Sequence, residues 1–180
     1  MKVKKIAAQV KARGILILYD HTDAEGVLSQ WIGTGAAAYP ITGMPYLEPE
    51  HLVNMLDLSK KDLDKINVMQ RELPEDMPRD AVEGEVMPME APFRLLHQGR
   101  EVLIYQREGD AYFVDRALLG PIWSEYDEAE LWLRFRTDGT PYFAVKNGLL
   151  VVGLVMPMDM SGMREAFRRV ADGSWSCVEE

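Results

Sequence analysis

"LWLRFRTDGTPYFAVKNGLLVVGLVMP", residues 131–157, decides the fold class. Three apolar runs are separated by Asp138-Gly139 and Asn147-Gly148, dipeptides that accept the positive φ angles of tight hairpin turns. Two successive turns of this kind predict a three-stranded antiparallel meander. Pairing Thr137 with Thr140 and Lys146 with Leu149 sorts the side chains. One face then gathers Leu131, Leu133, Phe135, Tyr142, Ala144, Val151 and Val155; the other gathers Trp132, Arg134, Arg136, Phe143, Val145, Val152 and Leu154. The third strand is apolar on both sides, so it is expected to be central or covered twice. The segment "SGMREAFRRVA" (161–171), with Met163, Phe167, Val170 and Ala171 at helical spacing, is the expected cover.

Working outward, "EVLIYQ" (101–106) and "AYFVD" (111–115) flank "REGD" as a second hairpin, and "ILILYD" (15–20) returns through "HTDAEG" into "VLSQWI" (27–32) as a third. The period changes at two places. Ile6, Ala7 and Val10 mark a short basic helix stopped by Gly14, and "EHLVNMLDLSKKDLDKI" (50–66) reads as a helical hairpin. Its first stripe is Leu52, Met55 and Leu56; Ser59 with Asp62 forms a capping box that opens the second helix, which carries Leu63 and Ile66. The fold expected is α+β with mainly antiparallel sheet: hairpins, a C-terminal meander, a helical hairpin and a C-terminal covering helix.

Residues 72–92, "ELPEDMPRDAVEGEVMPMEAP", hold four prolines and seven acidic residues, a composition that predicts an exposed connection. It divides an N-terminal α+β half, 1–71, from a C-terminal half, 93–180. A chain of 180 residues, 47% of them apolar, also has the length and core content of a single domain.

The net charge of −9 disfavours nucleic acid, so any such contact needs a local basic patch. No apolar run approaches the roughly 20 residues of a membrane span, and the basic start lacks the apolar core of a signal peptide. The single Cys177 fits a reducing compartment. A cytoplasmic protein without membrane contact is expected.

The chemistry is sparse. In "GTGAAAYP" (33–40) no helix follows the glycines and Pro40 closes the space for one, so a glycine-enabled turn is expected in place of a phosphate loop. His21, His51 and His97 have no metal-ligand spacing, and no nucleophile elbow is present. No catalytic residue, metal or cofactor is therefore expected, and the reading leans towards a non-enzymatic binding protein whose partner is another protein or a second copy. Two alternatives stay open. Trp31, Tyr39 and Tyr46, with Asp20, His21 and Asp23 of the acidic loop, either line a pocket that binds or hydrolyses a small ligand or signalling nucleotide, or form core and solvated loop. Lys60, Lys61 and Lys65 on the second hairpin helix give a helix-turn-helix-like face for DNA, interrupted by Asp62 and Asp64.

The pairing of "QWIGTGAAAYPITGMPYL" (30–47) with "GTPYFAVKNGLLVVGLVMPMD" (139–159) resembles an uncharacterised family of small proteins from prophages and mobile elements of Gram-positive bacteria. The resemblance spans most of the chain and carries over no functional residues. It implies a setting, that of an accessory or counter-defence factor, such as an anti-CRISPR-type inhibitor, that binds a host protein or a signalling nucleotide.

Overall fold

The computed structural model describes residues 2–23, 25–78, 82–160 and 162–163. Helix α1 (Val3–Arg13) buries Ile6, Ala7, Gln9 and Val10 on one side and leaves its lysines outside, the division an amphipathic stripe produces. Gly14 ends it: its φ of 69° directs its N–H to the Val10 carbonyl, a left-handed cap that costs glycine little. The chain then enters β1 (Ile15–Thr22), β2 (Leu28–Gly33) and β3 (Ala37–Ile41). These pair antiparallel, with Tyr19 opposite Trp31 and Ile32 opposite Tyr39.

The helical hairpin consists of α2 (Pro49–Met55) and α3 (Lys60–Leu63), and both bonds of the Ser59/Asp62 capping box form. Beyond it lies β4 (Asn67–Glu72), which runs parallel to β1 from Ile15 opposite Asn67 to Asp20 opposite Glu72. Its polar, half-exposed composition, "NVMQRE", carries no strand alternation, which is why the sequence does not announce it.

A smaller sheet follows, made of β5 (Met89–Glu90), β6 (Leu95–His97), β7 (Arg100–Arg107) and β8 (Asp110–Asp115). Strand β8 runs along one edge of β7, while β5 and β6 share the other. From β8 the chain passes into α4 (Arg116–Trp123), then β9 (Glu130–Phe135), β10 (Pro141–Asn147) and β11 (Leu150–Val155). The seven-stranded sheet has the order β4-β1-β2-β3-β11-β10-β9. The α+β class and the mostly antiparallel sheet stand. The two halves are not separate, because β11 pairs with β3 through Leu154–Ala38 and Val155–Ala37.

The expected register is corrected at both turns. Arg136, not Thr137, faces Thr140, donating its N–H to the Thr140 carbonyl at 2.9 Å while the Asp138 side chain accepts the Thr140 N–H at 2.8 Å. The loop is thus three residues, 137–139, with Gly139 at φ 81°. At the second turn Asn147 faces Leu150, so the two-residue loop begins at Gly148. A shift of one residue moves side chains to the opposite face. Phe143 and Val145 therefore join Leu131 and Leu133, while Tyr142 and Ala144 join Trp132 and Arg134. A bulge between Val145 and Lys146 then places Val152 with Val155 in the main core and Val151 with Leu154 on the outer face.

The main core lies between the inner face of the large sheet, the helices and the inner face of the small sheet, joining Ile6, Leu18, Leu52, Tyr112, Leu119 and Phe143. Strand β11 is covered on this face by α4. Gly153 makes that possible: a Cβ there would stand 2.3 Å from Ile122 Cδ1. The covering helix expected over 161–171 lies outside the described residues, apart from Gly162 and Met163. Met163 packs on the outer face of the small sheet with Phe113 and Met160.

The outer face of the large sheet is covered by the segment read as a solvated connection. Leu73 and Met77 are buried there with Trp31, Tyr142 and Leu154. Its acids pair with cations of the sheet. Both oxygens of Asp76 accept from Arg136 Nε, at 3.1 and 3.0 Å. Glu85 accepts from Arg134 Nε at 2.7 Å and pairs with Lys146, whose ammonium stands 4.7 Å from the Trp132 ring centre. Val86 bridges to Leu133. Negative charge and proline thus mark a strap, because its carboxylates meet buried arginine and lysine that need them.

Two outcomes test this packing. Gly153→Ala should cost about 1–3 kcal/mol in urea unfolding, and adding Ile122→Val, which removes the obstructing methyl, should recover part of it; strictly additive losses would show that this contact is not limiting. The strap should be acid-sensitive. The Arg136 bond holds the Asp76 carboxyl below its ordinary range; burial opposes ionisation of Glu85, but Lys146 and Arg134 outweigh it and lower its pKa too. Depressed carboxyl pKa values stabilise the fold above the ordinary range, and that contribution is lost as pH falls through the depressed values. Urea midpoints should hold down to about pH 5 and fall below about pH 4. Asp76→Asn should lower the midpoint near neutrality and flatten the acid decline; an unchanged acid slope would count against the strap as its source.

Candidate functional site

The structure does not bring Trp31, Tyr39 and Tyr46 together. Trp31 is 1% exposed on the outer face of the large sheet, and its Nε1 has no hydrogen-bond partner among the described residues. Tyr39, opposite Ile32, points into the main core, where its hydroxyl lies 2.7 Å from the Leu118 carbonyl and 2.8 Å from Gln9 Oε1. Burial pushes its pKa above the ordinary tyrosine range. Tyr46 is exposed, its hydroxyl 3.3 Å from Asp20 Oδ2. Alternation along the strands separates the rings. Two of the rings therefore occupy core positions and the third a surface position.

The acidic residues serve the local fold. Asp20 accepts from Gln30 Nε2 at 2.8 Å and from Gln70 Nε2 at 2.6 Å, and Gln30 in turn holds both backbone groups of Leu47. Asp23 Oδ1 accepts the N–H groups of Glu25 and Val27, at 3.0 and 2.8 Å, closing the β1–β2 loop. His21 is half-buried on β1, and its carbonyl accepts from Ser29. Of the six residues, only Asp20 and Tyr46 meet through their side chains in the bonds just described. Lys60, Lys61 and Lys65 are exposed, but α3 has four residues, a single turn of about 6 Å, far shorter than a recognition helix. Its Asp62 is paired with Lys11 at 2.9 Å, and that bond and those to Ser59 lower the carboxyl pKa to about 2.

A different site emerges between α1 and α4. Helix α4 is initiated by Asp115, whose side chain accepts the Ala117 N–H at 3.0 Å. Leu118, Leu119 and Ile122 are buried beneath it. Pro121 lies inside the helix and lacks the N–H that would bond to the Ala117 carbonyl. Gln9 Nε2 of α1 supplies the replacement at 2.5 Å. The helices are joined at this point, yet Ala8, Ala12, Ala117 and Gly120 leave room along their outer sides. The result is a groove of about 770 Å³, lined at one end by Gly99 of the β6–β7 turn and Arg100 at the start of β7, and at the other by Trp123.

Four cations line the groove, Lys5, Arg13, Arg100 and Arg116, against two carboxylates, Glu101 and Asp115. Asp115 is buried, 3.0 Å from Arg13 and 3.6 Å from Arg100. Glu101 lies 2.7 Å from Arg94 and 3.1 Å from Arg116, and these arginines, with Arg94 first, hold its pKa below the ordinary value. Arg100 and Arg116 remain nearly half exposed, at 45% and 47%. Each guanidinium has five N–H donors, so one carboxylate leaves further donors for a ligand. Lys5 caps the Gly120 carbonyl at 3.2 Å.

Sequence reasoning missed this groove because Pro121 conceals α4. The usable signals were Asp115 as a helix-opening residue and the Leu118, Leu119, Ile122 spacing after it. No protein family, curated protein or solved structure matches the chain.

Proposed function

We propose that this is a binding protein whose ligand is anionic and is held in the groove between α1 and α4. The observation that supports this reading is the sign of the groove. Four cations outnumber two carboxylates around one hollow, on a chain whose net charge is −9. A negative average surface repels anions, so a local positive concavity concentrates them where the field lines converge. The volume, about 770 Å³, lies within the roughly 300–1,000 Å³ of small-molecule sites.

A second reading is contact with a protein, either a host protein of the kind the prophage resemblance implies or a second copy of this chain. It is favoured by exposed apolar side chains at one end of the large sheet. Val27 precedes and Leu28 opens β2, Met44 follows β3, and Leu149 of the turn, 95% exposed, precedes Leu150 at the start of β11. Clustered apolar exposure of this kind marks contact surfaces. Replacing Leu149 and Leu150 by serine should leave the melting temperature nearly unchanged and abolish any self-association seen by sedimentation; association that survives both changes would place the contact elsewhere.

The anion reading is tested with inorganic pyrophosphate. Ligand that binds only the folded state raises stability by RT ln(1 + [L]/Kd), about 2.7 kcal/mol at a hundredfold excess over Kd. The melting temperature should rise with pyrophosphate, and Arg100→Ala with Arg116→Ala should weaken binding at least tenfold while the unliganded protein stays folded. A melting temperature indifferent to millimolar pyrophosphate at low salt would overturn the proposal.

A further inference from the structure

We infer that the ligand is a nucleoside polyphosphate, with its phosphates among Arg13, Arg100 and Arg116 and its base against Trp123. This rests on the anionic-ligand reading and adds the identity of the uncharged part. The groove is bipolar. Arg116 is the first residue of α4 and Trp123 the last of its eight, and at 1.5 Å per residue these ends are about 10 Å apart. Arg13 and Arg100 gather at the Arg116 end through their shared partner Asp115, whereas Trp123 stands at the other end, half-buried against the core.

An inorganic anion uses only the first end. A ligand that fills both needs multiple negative charges and, about 10 Å away, a flat ring. Nucleoside di- and triphosphates meet that description: guanidinium forks bind phosphate oxygens in pairs, and an indole face accepts any base by stacking. Lys5, anchored at Gly120, stands between the ends, and Ala8 and Ala12 keep the path open on α1.

Two details make the inference specific. Gln9 is held at Ala117 and Tyr39, at the Arg116 end of α4 and away from Trp123, and so does not read the edge of a base. Discrimination between purines should accordingly be slight. Glu101 stands 3.1 Å from Arg116, offsets its charge and repels an incoming phosphate. Glu101→Gln should therefore raise affinity several-fold, a gain that impaired folding does not imitate.

The experiment is calorimetric titration of the whole protein with ATP, GTP, tripolyphosphate and adenosine at low salt, with tryptophan fluorescence recorded in parallel. ATP and GTP should bind within about threefold of one another and roughly tenfold or more tighter than tripolyphosphate, the order that one stacked base contributes. Trp123→Leu should reduce ATP binding to the tripolyphosphate level and abolish the ATP-dependent fluorescence change, and Glu101→Gln should strengthen both phosphates. Should Trp123→Leu fail to fold, the wild-type ratio of ATP to tripolyphosphate decides alone. Equal affinity for ATP and tripolyphosphate would overturn the nucleotide assignment and leave the anion site standing. Binding of neither would overturn both.

Discussion

The whole architecture depends on the seam between β3 and β11. It is short: Leu154 meets Ala38, Val155 meets Ala37, and the Met156 N–H reaches the Ala36 carbonyl at 2.8 Å. Without it the chain would hold two partial sheets, each with an exposed central edge. Ala36, Ala37, Ala38 and Gly153 at the seam are small because both faces are occupied. Gly153 leaves space for Ile122 of α4 on one side, and Ala38 lies with Leu154 beneath Leu73 and Met77 of the strap on the other. The seam is also what sets α4 beside α1, and hence what makes a groove.

Charge is distributed by the same constraint. The chain is acidic, but many of its carboxylates are committed. Asp76 and Glu85 meet cations on the outer face of the sheet, Asp115 meets Arg13, and Asp62 meets Lys11. Buried Arg134 and Lys146 would be costly without Glu85. In the groove this matching stops short of neutrality, and that local imbalance carries the functional reading.

Much of the fold was legible wherever one physical signal dominated. Ile6, Ala7 and Val10 define α1, Ser59 and Asp62 cap α3, and the apolar runs at 15–20 and 27–32 lie within or across β1 and β2. Legibility failed where two signals competed. The turn at 137–139 closes through the Asp138 side chain, so the dipeptide rule placed the register one residue late and exchanged the faces of β10. The strap reads as linker because proline and charge conceal the long-range partners of its acids. Helix α4 was hidden by Pro121, and β4 by its half-exposed polar residues. The candidate site was not legible at all, since its lining residues come from segments about 100 positions apart and none forms a motif with its neighbours.

The bond from Gln9 to the Ala117 carbonyl spans 108 positions, and it has a consequence for how the molecule is made. During synthesis α1 emerges long before the carbonyl it will satisfy, and α4 carries an internal proline that leaves it one backbone bond short until α1 arrives. Closing α1 onto α4 is therefore a non-local step, of the class that slows folding in proteins rich in such contacts. The same contact that shapes the groove thus ties together two distant parts of the chain, and a ligand lying across both helices would hold that tie shut.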